Sequence, residues 1–400
     1  MIPTPQLLAY LWEHRDDDVR TLALSRHHEG LTDLKIALNA LQARQKLQHK
    51  WPDWAKCPDV FLPESVMVEQ SSSPETALYK TRFLQPGTTL LDLSGGMGGD
   101  SYTFSLHSQE VHYLEASPER AAIAQHNFRA LHRTNITCHT GQAELEGVAL
   151  ASQLQPHLIY IDPDRRATAK GRTFLLSESS PDITTLIPQL QEASPHSQLL
   201  IKLSPMADIT YLTQALPYSF DLHIVSLRRE AKELLLHLYP QAHGLITAVE
   251  LQPYHCLSYT TDPTLPDTLP PISSEVGCYL HDLFPAFAKV GYPQLHLPYP
   301  VWQPAPDTHL YFTHQPIADF PGRCFRVLES NKGEKRWLRK VTQQPLHLIT
   351  KNLPITTDKL RHKWHIDEGG QLFLIAYGTE QGKSAYLLAE PIDPLDIPFF

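Results

Sequence analysis

The stretch that decides the fold is residues 90–100, LLDLSGGMGGD. It begins with apolar residues around Asp92 and continues into a turn with four glycines between residues 95 and 99. Glycines after a strand let the backbone turn sharply and approach a ligand, and the helix that follows presents its N-terminus to the same ligand. The stretch therefore predicts a strand, a turn and a helix that could hold a nucleotide. A tight turn without a ligand remains the alternative for a glycine cluster taken alone.

The sequence around this stretch predicts an α/β fold with a doubly wound sheet. Short β-rich runs alternate with helix-length segments between about residues 81 and 240. In chain order the runs are TLLDLS, EVHYLEA, ITCHTG, HLIYIDP, QLLIKLS, DLHIVSL and ELLLHLYP. This alternation is typical of parallel strands joined by crossover helices. We therefore expect a mostly parallel sheet with helices on both faces.

Acidic residues follow the next strands at positions that suit a nucleoside. Glu115 lies 23 residues after Asp92 and ends the second run, where a carboxylate could accept hydrogen bonds from both ribose hydroxyls. Residues 141–144, GQAE, end the third run, where either Ala143 or Glu144 could face the base. The spacing D-x-x-G-G-x-G-G-D resembles the nucleoside-binding turn of class I methyltransferases, and not the dinucleotide fingerprint. The resemblance implies that the cofactor is S-adenosylmethionine.

Asp162 is the leading candidate for the active-site acid. It ends the fourth run in IYIDPDRR, and ligands bind at the carboxyl ends of parallel strands in open α/β sheets. An ordinary Asp-Pro turn is the alternative. Lys202 lies on an apolar strand, where a buried lysine needs a partner or a lowered pKa, although a lysine that reaches solvent at a strand edge is also possible. The expected cofactor contacts are Asp92, Ser94, Gly95, Gly96, Gly98, Asp100, Glu115, Ala143, Glu144 and Asp162. The expected catalytic residues are Asp162, Arg165 and Lys202.

The loop after the fourth strand limits the chemistry of the acceptor. Methyltransferases that act on amino nitrogens often carry D/N-P-P-aromatic here, whereas this chain has Asp164 and Arg165 in the last two positions. Neither IDPDRR nor IKLSP contains a cysteine, which excludes the covalent thiolate adduct used to methylate pyrimidine carbon 5. A nitrogen or oxygen acceptor therefore remains.

A second pattern runs through some of the same residues. Lys80, Asp162, Lys202 and Glu233 follow the chain order of the K-D-K-E tetrad of ribose 2′-O-methyltransferases, in which a lysine deprotonates the hydroxyl. Lysines and acids are common, so order alone is weak evidence. Ribose 2′-O-methylation is therefore the alternative reaction.

Charge is distributed unevenly along the 400 residues. The net charge is −9, but residues 322–363 contain eleven Lys or Arg against three acids, so this segment is +8 and the remainder −17. Phe325 and Trp337 are interleaved with the basic residues. Cations bind phosphates and aromatic rings stack on unpaired bases, which predicts an RNA-binding surface; a solvated basic face is the alternative. The residues expected to bind RNA are Arg323, Arg326, Lys332, Lys335, Arg336, Arg339 and Lys340.

Cysteine usage and hydropathy exclude several classes of protein. The five cysteines are scattered without a CxxC pair, which argues against a zinc site and a disulfide scaffold. The N-terminal residues lack the positive flank of a signal peptide, and no apolar run reaches the roughly 18 residues of a membrane helix. We expect a soluble cytoplasmic protein with no metal and no membrane partner.

The segments on either side of the sheet have other patterns. Residues 5–13, 17–25 and 31–50 show helical apolar spacing, and Thr32 or Asp33 could cap the third helix. WPDWAKCPDVFLPES then contains three prolines, which indicates a linker or an irregular segment against the next domain. After residue 240 the chain is proline-rich. There we expect a helix over HDLFPAFAKVG and strands at HLYFT, RCFRVLES, PLHLITK, QLFLIAYG and SAYLLAEP.

Motifs along nearly the whole chain resemble the THUMP-like-domain class I methyltransferases. They are LNALQARQKLQHKWPDWA, VMVEQSSSPETALYKTRFL, LLDLSGGMGGDSYTFS, YIDPDRR, IKLSPMADI and HLYFTHQPIADFPGRCFRVLE. The resemblance implies a helical domain over residues 1–80, a Rossmann-like methyltransferase domain over 81–245, a proline-rich connection and small ferredoxin-like domain over 246–320, and a THUMP-like domain over 321–400. It further implies that Asp162, Arg165 and Arg166 form the floor of the acceptor pocket. THUMP domains of related enzymes bind the acceptor end of tRNA.

The leading hypothesis is an RNA methyltransferase that modifies a base nitrogen in tRNA or rRNA. Besides ribose 2′-O-methylation, two alternatives remain. The chain could be a catalytically inactive RNA-binding protein, since its DPDRR loop is unusual. It could also be a small-molecule or protein methyltransferase.

Overall fold

The chain divides into two compact units in the computed structural model. The first unit comprises Met1–Leu227 and Lys232–Gly244, and the second comprises Arg228–Ala231 and Leu245–Phe400. The structure describes residues 2–24, 33–165, 176–253, 255–264, 270–291, 300–306 and 308–392. The four-part division expected from the sequence stays a prediction.

Helices open the first unit, as the apolar spacing predicted. They are α1 (Pro5–Glu13), α2 (Val19–Leu24), α3 (Leu34–Lys50), α4 (Pro52–Ala55), α5 (Ser65–Gln70) and α6 (Pro74–Lys80). The Asp33 carboxylate accepts a hydrogen bond from the Ile36 N–H and so caps α3, one of the two expected caps. Leu11 and Leu41 are buried where α1 and α3 pack together, so this apolar face forms a core of its own.

The proline-rich segment after α3 is not a linker, and that part of the prediction is wrong. Trp51, Trp54 and Phe61 are all buried, and Pro52 starts the short helix α4. The prolines interrupt helical hydrogen bonding, but they do not prevent the large apolar side chains between them from packing. The segment therefore belongs to the core of the first unit.

A mostly parallel sheet occupies the rest of the first unit, and every predicted strand is present. The strands are β1 (Thr89–Asp92), β2 (Glu110–Glu115), β3 (Ile136–Thr140), β4 (Leu158–Ile161), β5 (Asp164–Arg165), β6 (Ser179–Ser180), β7 (Gln198–Leu203), β8 (Asp221–Leu227) and β9 (Glu230–Leu238). The helices between them are α7 (Gly99–Ser105), α8 (Pro118–Ala130), α9 (Val148–Leu154), α10 (Ile183–Ala193) and α11 (Ile209–Ala215). The order in the sheet is β8-β9-β7-β4-β1-β2-β3, while β5 and β6 form a separate two-stranded ladder.

Strand direction brings the predicted site residues to one edge of this sheet. β1 pairs in parallel with β2 on one side and β4 on the other, β3 extends the parallel set beyond β2, and β7 extends it beyond β4. β9 is antiparallel to β7. The carboxyl ends of β1, β2, β3 and β4 therefore meet at one edge, where open α/β sheets bind ligands.

The second unit contains a hairpin and a six-stranded sheet. The hairpin pairs β10 (Ile246–Leu251) with β11 (Cys256–Thr261) in antiparallel fashion. The sheet has the order β13-β12-β14-β17-β16-β15, and all its neighbours are antiparallel except β15 and β16. Its elements and associated helices are β12 (Tyr279–Leu283), α12 (Pro285–Val290), β13 (Leu310–Thr313), β14 (Gly322–Asn331), α13 (Lys335–Val341), β15 (His347–Lys351), α14 (Thr357–Trp364), β16 (Phe373–Gly378) and β17 (Ser384–Ile392).

One predicted helix of this unit is shorter than expected. His281 and Asp282 belong to strand β12, and the helix begins only at Pro285. Proline is favourable at the first position of a helix, and β12 is held by ladders to both β13 and β14. Among the described residues, no helix is both long and apolar enough to cross a bilayer.

Candidate functional site

The glycine-rich turn after β1 has glycines because neighbouring rings leave no room for side chains. A Cβ at Gly95 would lie 2.2 Å from the Tyr113 ring, and one at Gly98 would lie 2.5 Å from the Phe128 ring. Gly98 also has a φ of 88°, in the left-handed region that favours glycine. Packing alone thus explains part of the glycine pattern, as the alternative of a plain tight turn proposed. The turn nevertheless exposes its backbone to a cleft.

Asp92 connects the turn to the strand edge. Its buried carboxylate accepts hydrogen bonds from the Ser94 N–H at 3.0 Å and from the Ser101 hydroxyl at 2.6 Å. Burial raises the pKa of Asp92 to about 7, against the lowering effect of these hydrogen bonds. The Ser94 hydroxyl in turn accepts a hydrogen bond from the Asp162 N–H at 2.6 Å. Ser94 therefore links the ends of β1 and β4.

Glu115 at the end of β2 is positioned by two backbone groups. One carboxylate oxygen accepts from the Gly96 N–H and the other from the Ser117 N–H, both at 2.9 Å. Each oxygen keeps a further lone pair, so the carboxylate can still accept two hydroxyl hydrogen bonds. These acceptor oxygens and the adjoining turn fit the ribose of a nucleoside.

A cleft of about 260 Å³ unites the predicted cofactor residues. All ten of them line it, from the β1 turn, the β2 and β4 ends and the turn after β3. Ala143 and Glu144 lie at its wall in a single π-helical turn, Ala143–Gly147. Sixteen residues beyond the ten predicted ones also line it, among them Met67, Gln70, Ser71, Ser72, Arg120, Tyr160 and Asp164. The first four come from α5 and its end, which are distant in sequence from every motif of the sheet.

Lys202 and Asp162 lie together at the edge of the cleft. Their side chains form an ion pair between the neighbouring strand ends of β7 and β4. Burial acts to lower the pKa of Lys202, but the facing carboxylates, Asp162 first among them, raise it well above the usual lysine value. Lys202 is therefore a fixed cation at neutral pH, and not a solvent-facing edge lysine.

Lys80, Asp100 and Glu233 form a second charged group, which we call the buried ion cluster. The Lys80 ammonium lies 3.1 Å from Asp100 and 3.0 Å from Glu233, and the side chain is 0% exposed. Burial acts to raise the pKa of Asp100, but Lys80 and Lys202 hold it below the usual value. The structure thus brings the two lysines and two acids of the tetrad pattern into neighbouring ion pairs, Lys80 with Glu233 and Lys202 with Asp162.

The side chains of Arg165 and Arg166, expected at the floor of the acceptor pocket, lie outside the described part of the structure. Arg166 lies outside the described residues. Arg165 is described only as part of strand β5, which pairs with β6. Their expected roles stay predictions.

Four exposed cations of the second unit lie together on α13. Lys335, Arg336, Arg339 and Lys340 are all exposed, and we call this group the basic helix face. Lys332 is exposed before the helix. Two other expected RNA contacts are partly engaged, because Arg323 pairs with Asp282 at 2.5 Å and Arg326 with Glu390 at 2.9 Å.

The expectation that the aromatic residues of the basic segment stack on bases is wrong for Phe325, and for Trp337 it stays a prediction. Phe325 is 0% exposed and belongs to the core beneath the six-stranded sheet. Trp337 on α13 is partly buried against the core that this helix covers. Its indole N–H donates to Glu329 at 2.7 Å. Successive side chains of a strand point to opposite faces, so Phe325 is buried in the core while its neighbour Arg326 is exposed.

Comparison with known families assigns residues 322–391 to a domain family. Residues 322–391 match the family model described as THUMP domain-like. This part of the chain is a THUMP-like domain. It contains β14 to β17 with α13 and α14, and thus the basic helix face. No protein of curated function matches the chain in sequence.

Solved structures establish the fold. The chain is similar to the crystal structure of a proposed methyltransferase from Porphyromonas gingivalis W83, at 23% identity with a TM-score of 0.83, covering 98% of this chain and 100% of that one. The predicted Rossmann-like methyltransferase fold is thereby confirmed.

Two further structures are less similar. A precorrin-6y C5,15-methyltransferase from Geobacter metallireducens GS-15 is 16% identical with a TM-score of 0.29, covering 42% of this chain and 86% of that one. An rRNA methylase from Streptococcus thermophilus is 12% identical with a TM-score of 0.29, covering 42% of this chain and 93% of that one. Scores this low do not establish a shared fold over the whole chain.

Proposed function

We propose that this protein is an S-adenosylmethionine-dependent methyltransferase that modifies a base nitrogen of tRNA or rRNA. The observation that carries the proposal is the convergence of all ten expected cofactor residues on one cleft, with the Asp162–Lys202 pair at its edge. The cofactor would supply an activated methyl group on a sulfonium.

The residues of the cleft have separable roles in this proposal. Glu115 accepts the ribose hydroxyls, and the turn at residues 95–99 approaches the methionine end closely because four of its five residues are glycines. Asp100 at this end of the cleft is paired with Lys80, whereas a sulfonium cation would favour the ionised form of Asp92, whose pKa is raised by burial to about 7. The protein thus contributes mainly position and charge.

Asp162 is assigned to the acceptor. Its carboxylate, oriented by Lys202 and by the backbone link to Ser94, would accept a hydrogen bond from a base N–H and later its proton. The THUMP-like domain and its basic helix face support RNA as the carrier of that base.

Ribose 2′-O-methylation is the second candidate, because the tetrad residues form neighbouring ion pairs. That reaction needs a lysine able to lose its proton near neutral pH. The raised pKa of Lys202 disfavours this, and Lys80 is 0% exposed. We therefore rank the base nitrogen first.

The test is mass spectrometry of RNA nucleosides from a strain that lacks the protein. We expect one base-methylated nucleoside to disappear and to return with the wild-type protein but not with Asp162→Asn. Asp53→Asn, an exposed acid paired with Lys56, should restore it and serves as the matched control. Loss of a 2′-O-methylated nucleoside would favour the second candidate.

An RNA methylation profile that never changes would overturn the RNA assignment. In that case a small-molecule or protein acceptor would be favoured if the protein binds S-adenosylmethionine. A catalytically inactive RNA-binding protein would be favoured if it binds RNA alone.

A further inference from the structure

One wall of the cofactor cleft comes from the N-terminal helical part of the chain. Met67, Gln70, Ser71 and Ser72 line the cleft, although they precede β1 by about twenty residues. Met67 is buried in a core that also contains Trp51 and Trp54, whereas Gln70 is exposed. We call residues 67–72 the α5 wall. The wall lines the cleft along its length, and Met67 also joins it to the packed core.

Lys50 holds the end of this wall. Its ammonium donates to the carbonyl oxygens of Val68 at 2.8 Å and Glu69 at 2.9 Å, and it also contacts the carbonyl of Ser71. The last carbonyls of a helix have no partner within it, and a cation there also interacts favourably with the helix dipole. A single lysine from the last position of α3 thus satisfies three backbone acceptors at the end of α5.

Ser72 joins the wall to the buried ion cluster. Its hydroxyl donates to Asp100 at 2.8 Å and accepts from Lys80 at 3.0 Å, and its carbonyl accepts the Trp51 indole N–H at 3.0 Å. The wall is therefore fixed at both ends, by Lys50 near Val68 and by three partners at Ser72. Such fixing reduces the loss of conformational freedom when a ligand binds.

We propose that Lys50 is a positioning residue for S-adenosylmethionine, which it serves by holding the α5 wall so that Met67 and Gln70 contact the bound cofactor. The inference rests on the proposed use of that cofactor. It gives the helical N-terminus a part in cofactor binding, beyond the residues of the parallel sheet.

The chain offers a matched control one turn earlier on α3. Lys46 also links α3 to α5, through its ion pair with Glu69 and a hydrogen bond to Ser65 at 3.2 Å. Lys46 and Glu69 are 45% and 53% exposed, so this pair lies in solvent and does not reach the carbonyls of the wall. Lys46→Met removes a lysine between the same helices without releasing the helix end.

The pH dependence of S-adenosylmethionine affinity distinguishes a charged Lys50 that holds the α5 wall from a Lys50 side chain that only fills space. Burial lowers the pKa of Lys50 to about 8, with Lys202 and Lys232 adding to the lowering and Asp100 opposing it. Glu69 faces the same helix end through its side chain, which pairs with Lys46. Lys50 therefore loses its charge as the pH rises through about 8, whereas an arginine at this position stays charged.

The experiment measures S-adenosylmethionine binding by calorimetry for the full-length protein and four variants. We expect Lys50→Met to raise the Kd about tenfold, Gln70→Ala to raise it severalfold, Lys46→Met to change it less than about twofold, and Lys50→Arg to restore most of the affinity. Between pH 7.5 and 9.5 the wild type should lose affinity relative to Lys50→Arg.

Each contrary outcome has one meaning. Unchanged affinity in Lys50→Met, or an equal loss in Lys46→Met, would overturn the role of Lys50 while leaving the proposed function intact. If Lys50→Met fails to fold, the variant Gln70→Ala, at an exposed position, provides the test. Unchanged affinity of Gln70→Ala for S-adenosylmethionine would overturn the proposed contact between the α5 wall and the cofactor. Absence of binding by the wild type would overturn both this inference and the proposed function.

Discussion

The buried ion cluster of the first unit and the basic helix face of the second contain similar lysines in different surroundings. Lys80 is 0% exposed and lies about 3 Å from two carboxylates, at 3.1 Å from Asp100 and 3.0 Å from Glu233. Lys340 is 72% exposed, and its acidic partner, Glu329, lies 3.7 Å away. A buried cation fixes its neighbours because separating them leaves an unpaired charge, while an exposed cation remains available to phosphates. We therefore expect the buried ion cluster to hold its neighbouring side chains in place and to stabilise the fold. The basic helix face is expected to bind a polyanion.

The largest expected effect follows from removing the buried cation. Lys80→Met leaves Asp100 and Glu233 buried without their partner, so we expect the free energy of unfolding to fall by about 3–5 kcal/mol. Urea unfolding measures this loss in the free energy of unfolding. Lys335→Met, on the basic helix face, is the control, with a change within about 0.5 kcal/mol. Similar small changes in both variants would remove the contrast between the two groups.

Three histidines, His281 in the core and the half-buried His223 and His237, extend the contrast to pH. Burial lowers the pKa of His223 to about 3, of His237 to about 4 and of His281 to about 3. Because these values lie below that of an unfolded histidine, near 6.5, the unfolded chain binds more protons as the pH falls. Stability should therefore be full above pH 6.5 and decline toward pH 4.5, on the order of 1–3 kcal/mol per histidine.

Unfolding free energies at pH 7, 5.5 and 4.5 check this decline. His237→Gln should flatten it, whereas His255→Gln, at an exposed position, should not. Because Asp92, with its raised pKa, contributes in the opposite direction, the difference between variants decides: a His237→Gln profile parallel to that of the wild type would contradict a neutral imidazole at residue 237.

The basic helix face should affect RNA binding and leave stability unchanged. Replacing Lys335, Arg336, Arg339 and Lys340 by glutamine is expected to weaken tRNA or rRNA binding at least about tenfold and to reduce the salt slope by about 0.7–0.9 for each phosphate contact removed. Filter binding over a range of salt concentrations measures both. The control changes Lys35 and Lys56, exposed in the first unit. Equal losses in the control would remove the assignment of this face.

The smallest effect concerns a single exposed pair. Lys340→Ala removes the contact with Glu329, whose side chain is 43% exposed, and should change the unfolding free energy by no more than about 0.5 kcal/mol. Unfolding at low and high salt provides the measurement. A loss comparable to that of Lys80→Met would show that exposure does not separate the two groups.

The sequence predicted the strands and ten residues that line one cleft, because their signals are local. Each strand is a short apolar run, and Asp92, Glu115 and Asp162 follow such runs directly. Parallel strands bring their carboxyl ends together, so the cleft follows from the strand order. Lys202 was expected to need a partner because it lies on an apolar strand, and the structure supplies Asp162 from the neighbouring strand end.

The rest depended on contacts between distant segments. Nothing in the local pattern of Met67 or Gln70 indicates a cleft, since contacts with distant segments, among them those of Lys50 and Ser72, place α5 there. The burial of Phe325 among arginines depends on which face of β14 packs on the core. Trp51 and Trp54 were assigned to a possible linker because prolines surround them, although large apolar side chains at this density are a signal of burial.

The most direct test of the central claim is calorimetry of S-adenosylmethionine with the wild type and Glu115→Ala. We predict saturable binding by the wild type and a Kd at least about tenfold higher in Glu115→Ala, because the ribose loses its carboxylate partner. Glu110→Ala, at the other end of the same strand, should bind like the wild type. No binding by the wild type, or equal binding by the wild type and Glu115→Ala, would contradict the account.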